Sequence, residues 1–485
     1  MPPPNYLLSK TGFMKFEQCN KAFFLYRNFP YLRDKLDPEK QQRFKRGHEV
    51  GELAQHIFPG GTDVSKITSN SAEALLKTRE LIEQNCAIIY EATFQYAGVL
   101  VMVDILCFED QSVKAYEVKS SLKVSEAYVK DACLQYFVLK NSLPGFEDLF
   151  LVTIDGSYEL GDELDLKKLF RKRSMKEKAE ANLGYFETRV KEAEDLIAQN
   201  VTPNREIGPH CFKPYTCDFF GHCWQGKLSE QSVFSMPFVD KLKVFEWYNN
   251  GITNLSELNA GDFTKPWQHT ILQCILNKTP FIDQEGIRDF MSRVKGKVLA
   301  MDMEIWNPAV PKLKGCKPFE QIPFLIGLYG EGLSLALFSE HIEDERQTLA
   351  KQFIEAVKDY DCIVVYDKTL EVSVLKDLMT RFPEMTGDLK TIQHKLLDMF
   401  DLISKNHFYH PDFKNNLSLK AVSAVLLPEF AYGEVQSGLE ALSFYDEFRQ
   451  ENNPIHKELL KEHLNAYCLN DCRAVFELLS YFKSL

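Results

Sequence analysis

The sequence predicts an α/β protein with two separate sheet-forming regions, and three observations predict it. Residues 87–95 and 99–108 are β-rich and meet at Tyr96-Ala97-Gly98, a hairpin signal, with 113–119 as the next strand. Residues 124–141 then carry a helical pattern and 149–154 a further strand. From Lys297 a second pattern begins: strands at 298–303, 322–329 and 333–338, a helix, a strand at 363–366, then helices to the end.

The remaining elements follow in order. Residues 12–27 read as a helix carrying Cys19, with Phe13, Phe16, Phe23 and Phe24 as its apolar positions. Residues 42–56 read as a second helix, containing Gly47-His48-Glu49-Val50-Gly51. Residues 165–199 give a long charged helical pattern, and 210–224 a compact loop rich in Cys, Pro and aromatic residues. Residues 229–295 look helical, with Asn249-Asn250-Gly251-Ile252 punctuating two helices in the manner of a helix-hairpin. The expected domains are therefore 1–227, a connector at 228–295, and 296–485. Three meandering strands, a helix, another strand and then helices is the order of an RNase H-like fold.

The bulk numbers bound the function. A chain of 485 residues holds two to four domains at roughly 100–200 residues each. There is no run of about 20 apolar residues and no basic stretch leading into an apolar core at the N-terminus. The expectation is a cytoplasmic protein with no membrane partner. The net charge of -12 argues against a chain that coats nucleic acid by global electrostatics, but not against a local basic groove. The strongest basic run is Lys167-Lys168-Leu169-Phe170-Arg171-Lys172-Arg173, followed by Lys176 and Lys178; it reads as a solvated helix face or as a strand-facing patch. Twelve cysteines in a reducing compartment are packing residues or metal ligands rather than disulfides.

One candidate metal site lies in the first sheet region. Glu117 and Lys119 alternate on a strand and so share a face, and Asp104 on the neighbouring strand can meet Glu117. Two carboxylates and a main-chain carbonyl offer hard oxygen ligands for Mg²⁺ or Mn²⁺. Lys119 can orient a water or stabilise charge on a phosphate, and His48 can supply a further ligand from its helix. A lone E-x-K also occurs on any solvated strand face. A second constellation surrounds it: Cys211, Cys217 and Cys223 on one short loop, with Cys19 upstream. All-thiolate sets suit zinc or an iron–sulfur cluster. The wide spacing with one distant ligand favours [4Fe–4S], with zinc and a merely packed loop as alternatives.

These residues together resemble RecB-like PD-(D/E)xK nucleases that carry an iron–sulfur staple, such as the AddB nuclease domain and the CRISPR-associated exonucleases. One cysteine precedes the nuclease core in those proteins and three follow it. Gly47-His48 resembles their first motif, Asp104 the second and Glu117-Val118-Lys119 the third. Gln135-Tyr136 resembles their Q-x-x-x-Y motif, with Leu139 standing where the tyrosine is expected. The resemblance covers roughly residues 10–225. It implies a restriction-endonuclease-like fold, metal-dependent cleavage of nucleic acid, and a catalytic or substrate-positioning role for Gln135.

A second acidic set lies in the C-terminal region. Asp302-Met303-Glu304 puts two carboxylates on one face of a strand, and Tyr467 and Asp471 lie one helical turn apart. Glu371, at the start of a helix, stands between them in sequence. The order resembles the DnaQ-like DEDD exonucleases, in which four acids hold two metal ions. The resemblance gives Asp302, Glu304, Glu371 and Asp471 that role and gives Tyr467 the orienting of the attacking water. Asp367 stands where asparagine is common, Glu371 where aspartate is expected, and Asp401 is a second candidate for the middle acid. The plain alternative is a set of surface acids on an RNase H-like scaffold.

The whole chain resembles a bacterial family that joins a RecB-like nuclease, a helical connector and an RNase H-like domain. That family carries segments like Lys317-Pro318-Phe319-Glu320-Gln321-Ile322-Pro323-Phe324 and Ser418-Leu419-Lys420-Ala421-Val422. The expectation is a nuclease acting on nucleic acid, DNA rather than RNA, as single strands or ends, with a helicase or defence complex as partner. The alternative is a nucleic-acid-binding subunit of a repair, defence or CRISPR-associated complex with one or both sites inactive. An iron–sulfur oxidoreductase finds no flavin or nicotinamide fingerprint in the sequence.

Overall fold

The computed structural model describes residues 8–109, 112–341, 343–430, 435 and 437–485. The chain is mixed α/β and divides into two compact units. The first comprises Met1–Gly226 and Pro308–Phe319, the second Lys227–Asn307 and Glu320–Leu485.

The first unit is built on a seven-stranded sheet: β1 (Leu8–Ser9), β2 (Thr62–Asp63), β3 (Ile88–Tyr96), β4 (Val99–Glu109), β5 (Ser112–Lys119), β6 (Phe146–Ile154) and β7 (Phe170–Ser174). The order is β2-β3-β4-β5-β6-β7, and β1 adds in parallel to the start of β4. β3, β4 and β5 are an antiparallel meander. β6 lies parallel to β5 after the crossover helix Glu126–Ser142, and β7 is an antiparallel edge. Both faces are covered, so the strands are apolar on both sides. Ala115, Leu149 and Leu151 join one core with Ala132 and Phe137 of the crossover helix and Phe186 of helix Leu183–Gln199. Tyr116, Val152 and Ile154 join another with Val50 and Ala54 of helix Pro38–Gln55, closed by Ala309 and Val310.

Two expectations are corrected here. The helix expected at 12–27 is two helices, Lys10–Gln18 and Asn20–Asn28, broken at Cys19 with φ -164° and ψ 120°. Cys19 therefore ends one helix and starts the next, which turns its thiol away from a regular helical face. The charged pattern at 165–199 is not one helix. It is a single turn at Leu166–Leu169 capped by Asp165, the strand β7, and helices at Lys176–Glu180 and Leu183–Gln199. Three cations of the basic run, Arg171, Lys172 and Arg173, lie on the edge strand. An exposed edge needs no apolar alternation, so its composition does not distinguish it from a solvated helix.

The second unit carries a five-stranded sheet of β9 (Val298–Trp306), β10 (Ile322–Gly330), β11 (Leu333–Phe338), β12 (Cys362–Val365) and β13 (Leu396–Asp398), in the order β11-β10-β9-β12-β13. β9, β10 and β11 meander antiparallel, β12 runs parallel to β9, and β13 runs parallel to β12. The short strand β8 (Phe281–Ile282) pairs instead with β14 (Phe408–Tyr409). Residues 228–295 share a core with the sheet region: Trp247, Ile271 and Phe290 pack in one cluster with Val364, Phe408 and Val475. The last helix, Pro454–Ser484, lies against β10 at Gly327, where an added Cβ would meet Cys468 Sγ at 2.7 Å and Cys472 Sγ at 2.8 Å. Among the described residues, no helix is long and apolar enough to cross a membrane.

Candidate functional site

In the first unit the antiparallel ladder of β4 and β5 ends at the pair Ile105–Tyr116. The next positions in that register are Asp104 and Glu117. Beyond the ladder, the Asp104 carboxylate replaces the missing strand partner and accepts the Val118 N–H at 2.6 Å. On its other side Asp104 stands opposite Glu91, between the paired positions Tyr90–Ile105 and Ala92–Val103. Glu91 has φ 53°, a left-handed backbone rarely seen in mid-strand. Ile89 and Ala92 pack in one core and Tyr90 in the other, so the alternation slips by one residue there. The slip is what brings three carboxylates, Glu91, Asp104 and Glu117, into one row across three strands.

Two lysines enter this row. Lys119 Nζ donates to Glu117 Oε1 and to Asp131 Oδ2, both at 2.6 Å. Lys10, at the start of the first helix, donates to Glu117 Oε1 at 2.9 Å. Burial works to raise the Glu117 carboxyl, but Lys10 and Lys119 outweigh it and hold the group well below the usual carboxylate range. Burial and the charge of Glu117 push Asp104 up to about 8 and Glu91 up to about 7. One oxygen each of Glu117 and Asp131, both buried, has no hydrogen-bond partner. Unpartnered buried carboxylate oxygens are costly, and an oxygen-seeking cation satisfies them. This donor set therefore fits Mg²⁺ or Mn²⁺.

Asp104, Glu117 and Lys119 are thus brought together, and Lys10, Glu91 and Asp131 join them. Lys10 gives no spacing signal in the sequence. Asp131 does give one, lying one helical turn before Gln135 on the helix that follows the E-x-K strand. His48 stands at the margin of the group, where Glu91 feels its charge. Its side chain is 79% exposed, with Glu52 at 3.6 Å as its ionic partner. Gln135 is completely buried, and neither its amide nitrogen nor its oxygen has a partner. A side chain with no accessible surface cannot touch a substrate, so direct contact by Gln135 is corrected to a place inside the core.

The four cysteines converge. Cys19, Cys211, Cys217 and Cys223 line one small cavity, walled by Ala22, Phe219 and Trp224. Burial pushes the Cys217 thiol up to about 11 and raises Cys223, and each feels the charge of the other cysteines. The loop is also held without them. Lys15 Nζ meets Asp218 Oδ2 at 2.5 Å, and Gln18 Nε2 donates to the carbonyls of His210 and Tyr215. Tyr215 in this loop hydrogen-bonds Tyr128, whose ring lies 5.4 Å from Lys119 Nζ.

In the second unit, ligand oxygens of Asp302, Glu304 and Asp471 all lie within 4.8 Å of one another. The other such group among the described residues is Glu447, Glu451 and His456. Burial and Asp471 push Asp302 up to about 7; burial, Asp302 and Asp471 push Glu304 well up; burial and Asp302 push Glu371 up to about 8. Glu371 is buried with its Oε2 lacking a hydrogen bond. It therefore stands with the other acids, as its place in the sequence order predicts. Tyr467 hydrogen-bonds Asp471, and Lys420 Nζ sits 4.4 Å from the Tyr467 ring centre. Burial lowers Lys420, and Asp471 and Glu304 only partly offset that. This set also fits divalent cations: three acids meet, with Glu371 and one lysine near them. Asp401 does not join, because it pairs with Lys405 at 2.7 Å. Asp398, which the sequence reading missed, accepts N–H groups from Asp367 and Phe400 at 3.0 Å and from Lys368 at 3.3 Å; it anchors the turn before Glu371.

No curated protein matches the chain. Residues 299–418, which carry Asp302, Glu304 and Glu371, match the family model described as domain of unknown function (DUF2779).

Proposed function

We propose that the chain is a metal-dependent nuclease that hydrolyses phosphodiester bonds of single-stranded DNA or DNA ends, with one candidate active site in each unit. The observation that carries this reading is the meeting of Asp302, Glu304 and Asp471 within 4.8 Å beside the buried Glu371. Four carboxyls in one pocket repel, and their raised pKa values express that repulsion. Asp302, Glu304, Glu371 and Asp471 would hold Mg²⁺ or Mn²⁺, which when bound polarises a phosphoryl oxygen and acidifies a bound water. Tyr467, fixed by Asp471, would orient the attacking water. In the first unit Asp104 and Glu117 would hold the cation, and Lys119 would face the charge that develops on the phosphate.

The finer fold belongs to the same proposal. The order β11-β10-β9-β12-β13 with β12 and β13 parallel to β9 supports an RNase H-like, DEDD-type second unit. The meander, crossover helix and parallel β6 support a PD-(D/E)xK, RecB-like first unit. Cys19, Cys211, Cys217 and Cys223 would hold a [4Fe–4S] cluster with a structural role. The wide sequence spacing, with Cys19 far upstream of the other three, supports a cluster over a single zinc. Twelve free thiols favour the cytoplasm. The partner is nucleic acid, DNA rather than RNA, with a helicase or defence complex beside it.

The test uses the full chain with Mn²⁺ and labelled single-stranded DNA. Asp302→Ala should remove one cleavage activity and Lys119→Ala the other. Cleavage that survives both changes sinks the reading. One observation favours inactivity at the first site: Lys10 already sits on Glu117, where a cation would bind. A nucleic-acid-binding subunit with that site silent would bind DNA, yet Lys119→Ala would leave cleavage unchanged.

A further inference from the structure

Residues 167–178 hold seven cations and one acid in a chain whose net charge is -12. Register places part of this run with respect to the first acidic row. Lys119 pairs with Thr153, and Thr153 with Arg171; Glu117 pairs with Leu151, and Leu151 with Arg173. Residues in register across a sheet point to the same face. Arg171 and Arg173 therefore share the face of Lys119 and Glu117, two strands away, at about 10 Å for a strand spacing of 4.7–4.9 Å. Lys172 points the other way: its Nζ lies 4.3 Å from the Phe58 ring centre and 5.0 Å from that of Tyr116, over the opposite core. All three are exposed at the edge of the sheet. Arg171 also reaches Asp155 at 2.6 Å, a contact two-thirds open to water on the arginine side.

We infer that Arg171 and Arg173 form a phosphate-binding edge that holds the backbone of a single-stranded nucleic acid beside the first acidic site. This rests on the nuclease reading of that site and names where its substrate is gripped. The occupant follows from charge and geometry. Two guanidiniums on alternate residues of an edge strand present forked donors along one line, and phosphates repeat along a line. The ordinary use of cations on an edge strand is to prevent edge-to-edge pairing. That use is indifferent to which face the cations occupy, whereas phosphate binding beside Lys119 is not.

The face dependence makes the test. Binding of a fluorescent 20-nucleotide oligo-dT to the full chain is followed by anisotropy in EDTA, where no cleavage occurs. Arg171→Gln/Arg173→Gln should weaken binding about tenfold and reduce the salt slope by about 1.4, at roughly 0.7 per phosphate contact on single strands. Lys172→Gln should change neither. Arg173→Gln alone, which leaves the Asp155 contact intact, should show about half of the change in slope. Equal losses from Lys172→Gln and the double variant overturn the inference, as does wild-type affinity in the double variant. A wild-type chain that cleaves DNA while the double variant binds it normally leaves the nuclease reading standing and removes only this one. A wild-type chain that neither binds nor cleaves removes both.

Discussion

The two acidic sites solve the same electrostatic problem differently. In the first unit, Lys10 and Lys119 are built into the row of Glu91, Asp104, Glu117 and Asp131, and Glu117 is held ionised. In the second, Asp302, Glu304 and Asp471 meet beside Glu371, with Lys420 as the nearby cation, itself weakened by burial. Two internal positive charges against four acids leave room for about one divalent ion. One weakened lysine against four acids leaves room for two. On the proposed reading, the contrast teaches that a lysine built into such a site would set how many divalent ions it takes.

The largest expected effect breaks the contrast at its base. Lys119→Met leaves Glu117 and Asp131 to Lys10 alone, and removing one partner of a buried ion pair costs about 3–5 kcal/mol. Urea unfolding in EDTA should show that loss in the first unit. The same experiment on Asp302→Asn should show the opposite sign, a gain of about 1–2 kcal/mol at pH 8, because it relieves repulsion. A loss there means the second site already has its countercharge.

The pH dependence sharpens the comparison. Asp302 and Glu371 sit at about 7 and about 8 in the folded chain, against ordinary values of 3.8 and 4.5. A raised carboxyl contributes stability that is present below its ordinary value and lost as pH rises through the folded one. Asp104 and Glu91, at about 8 and about 7, behave likewise. In EDTA, thermal stability of both units should therefore fall between pH 5 and 8, and excess Mn²⁺ should flatten that fall. Glu117 is depressed, so its contribution is present above 4.5 and lost as pH drops. Both units should therefore also weaken below about pH 4, the first through Glu117 and the second through Asp344, which, against its burial, the Arg346 guanidinium holds below the usual carboxylate range. A pH profile that Mn²⁺ leaves unaltered in both units contradicts the assignment of these acids to a cation.

Smaller effects follow. Tyr467→Phe should slow cleavage by the second site about tenfold without changing Mn²⁺ affinity, as expected of a residue that positions water. Unchanged turnover removes Tyr467 from that role. Gln135→Met should leave the first unit as stable as before or raise it by about 1 kcal/mol, since a buried amide with no partner is a cost. A drop of several kcal/mol would reveal a hydrogen bond that the fold depends on.

Much of this was legible in the sequence, for physical reasons that differ by region. The strands that hold Asp104, Glu117, Asp302 and Glu304 are buried, so their apolar runs announce them. The acids at Glu371 and Asp471 stand with Asp302, as their order in the chain predicts. The break at Cys19 was hidden because apolar residues on both sides continue a helical spacing. Strand β7 was hidden because its side chains from Arg171 to Ser174 are exposed, so no apolar alternation marks it. Lys10 and Glu91 reach the first site through tertiary register and a left-handed residue, which leave no periodic trace. Gln135 carried a motif-like signal, yet its helix turns it into the core.

Gly327 has a consequence for the second site that reaches beyond packing. It is the cross-strand neighbour of Asp302, and it faces the two sulfurs that flank Asp471 on the last helix. A methyl group there would collide with both and lift that helix off the sheet. The depth at which the helix settles, and so the span between carboxylates contributed by a strand and by a helix more than 160 residues later, is metered by a single hydrogen atom on the far strand. Alanine at this position would open the acid cluster without altering any carboxylate in it.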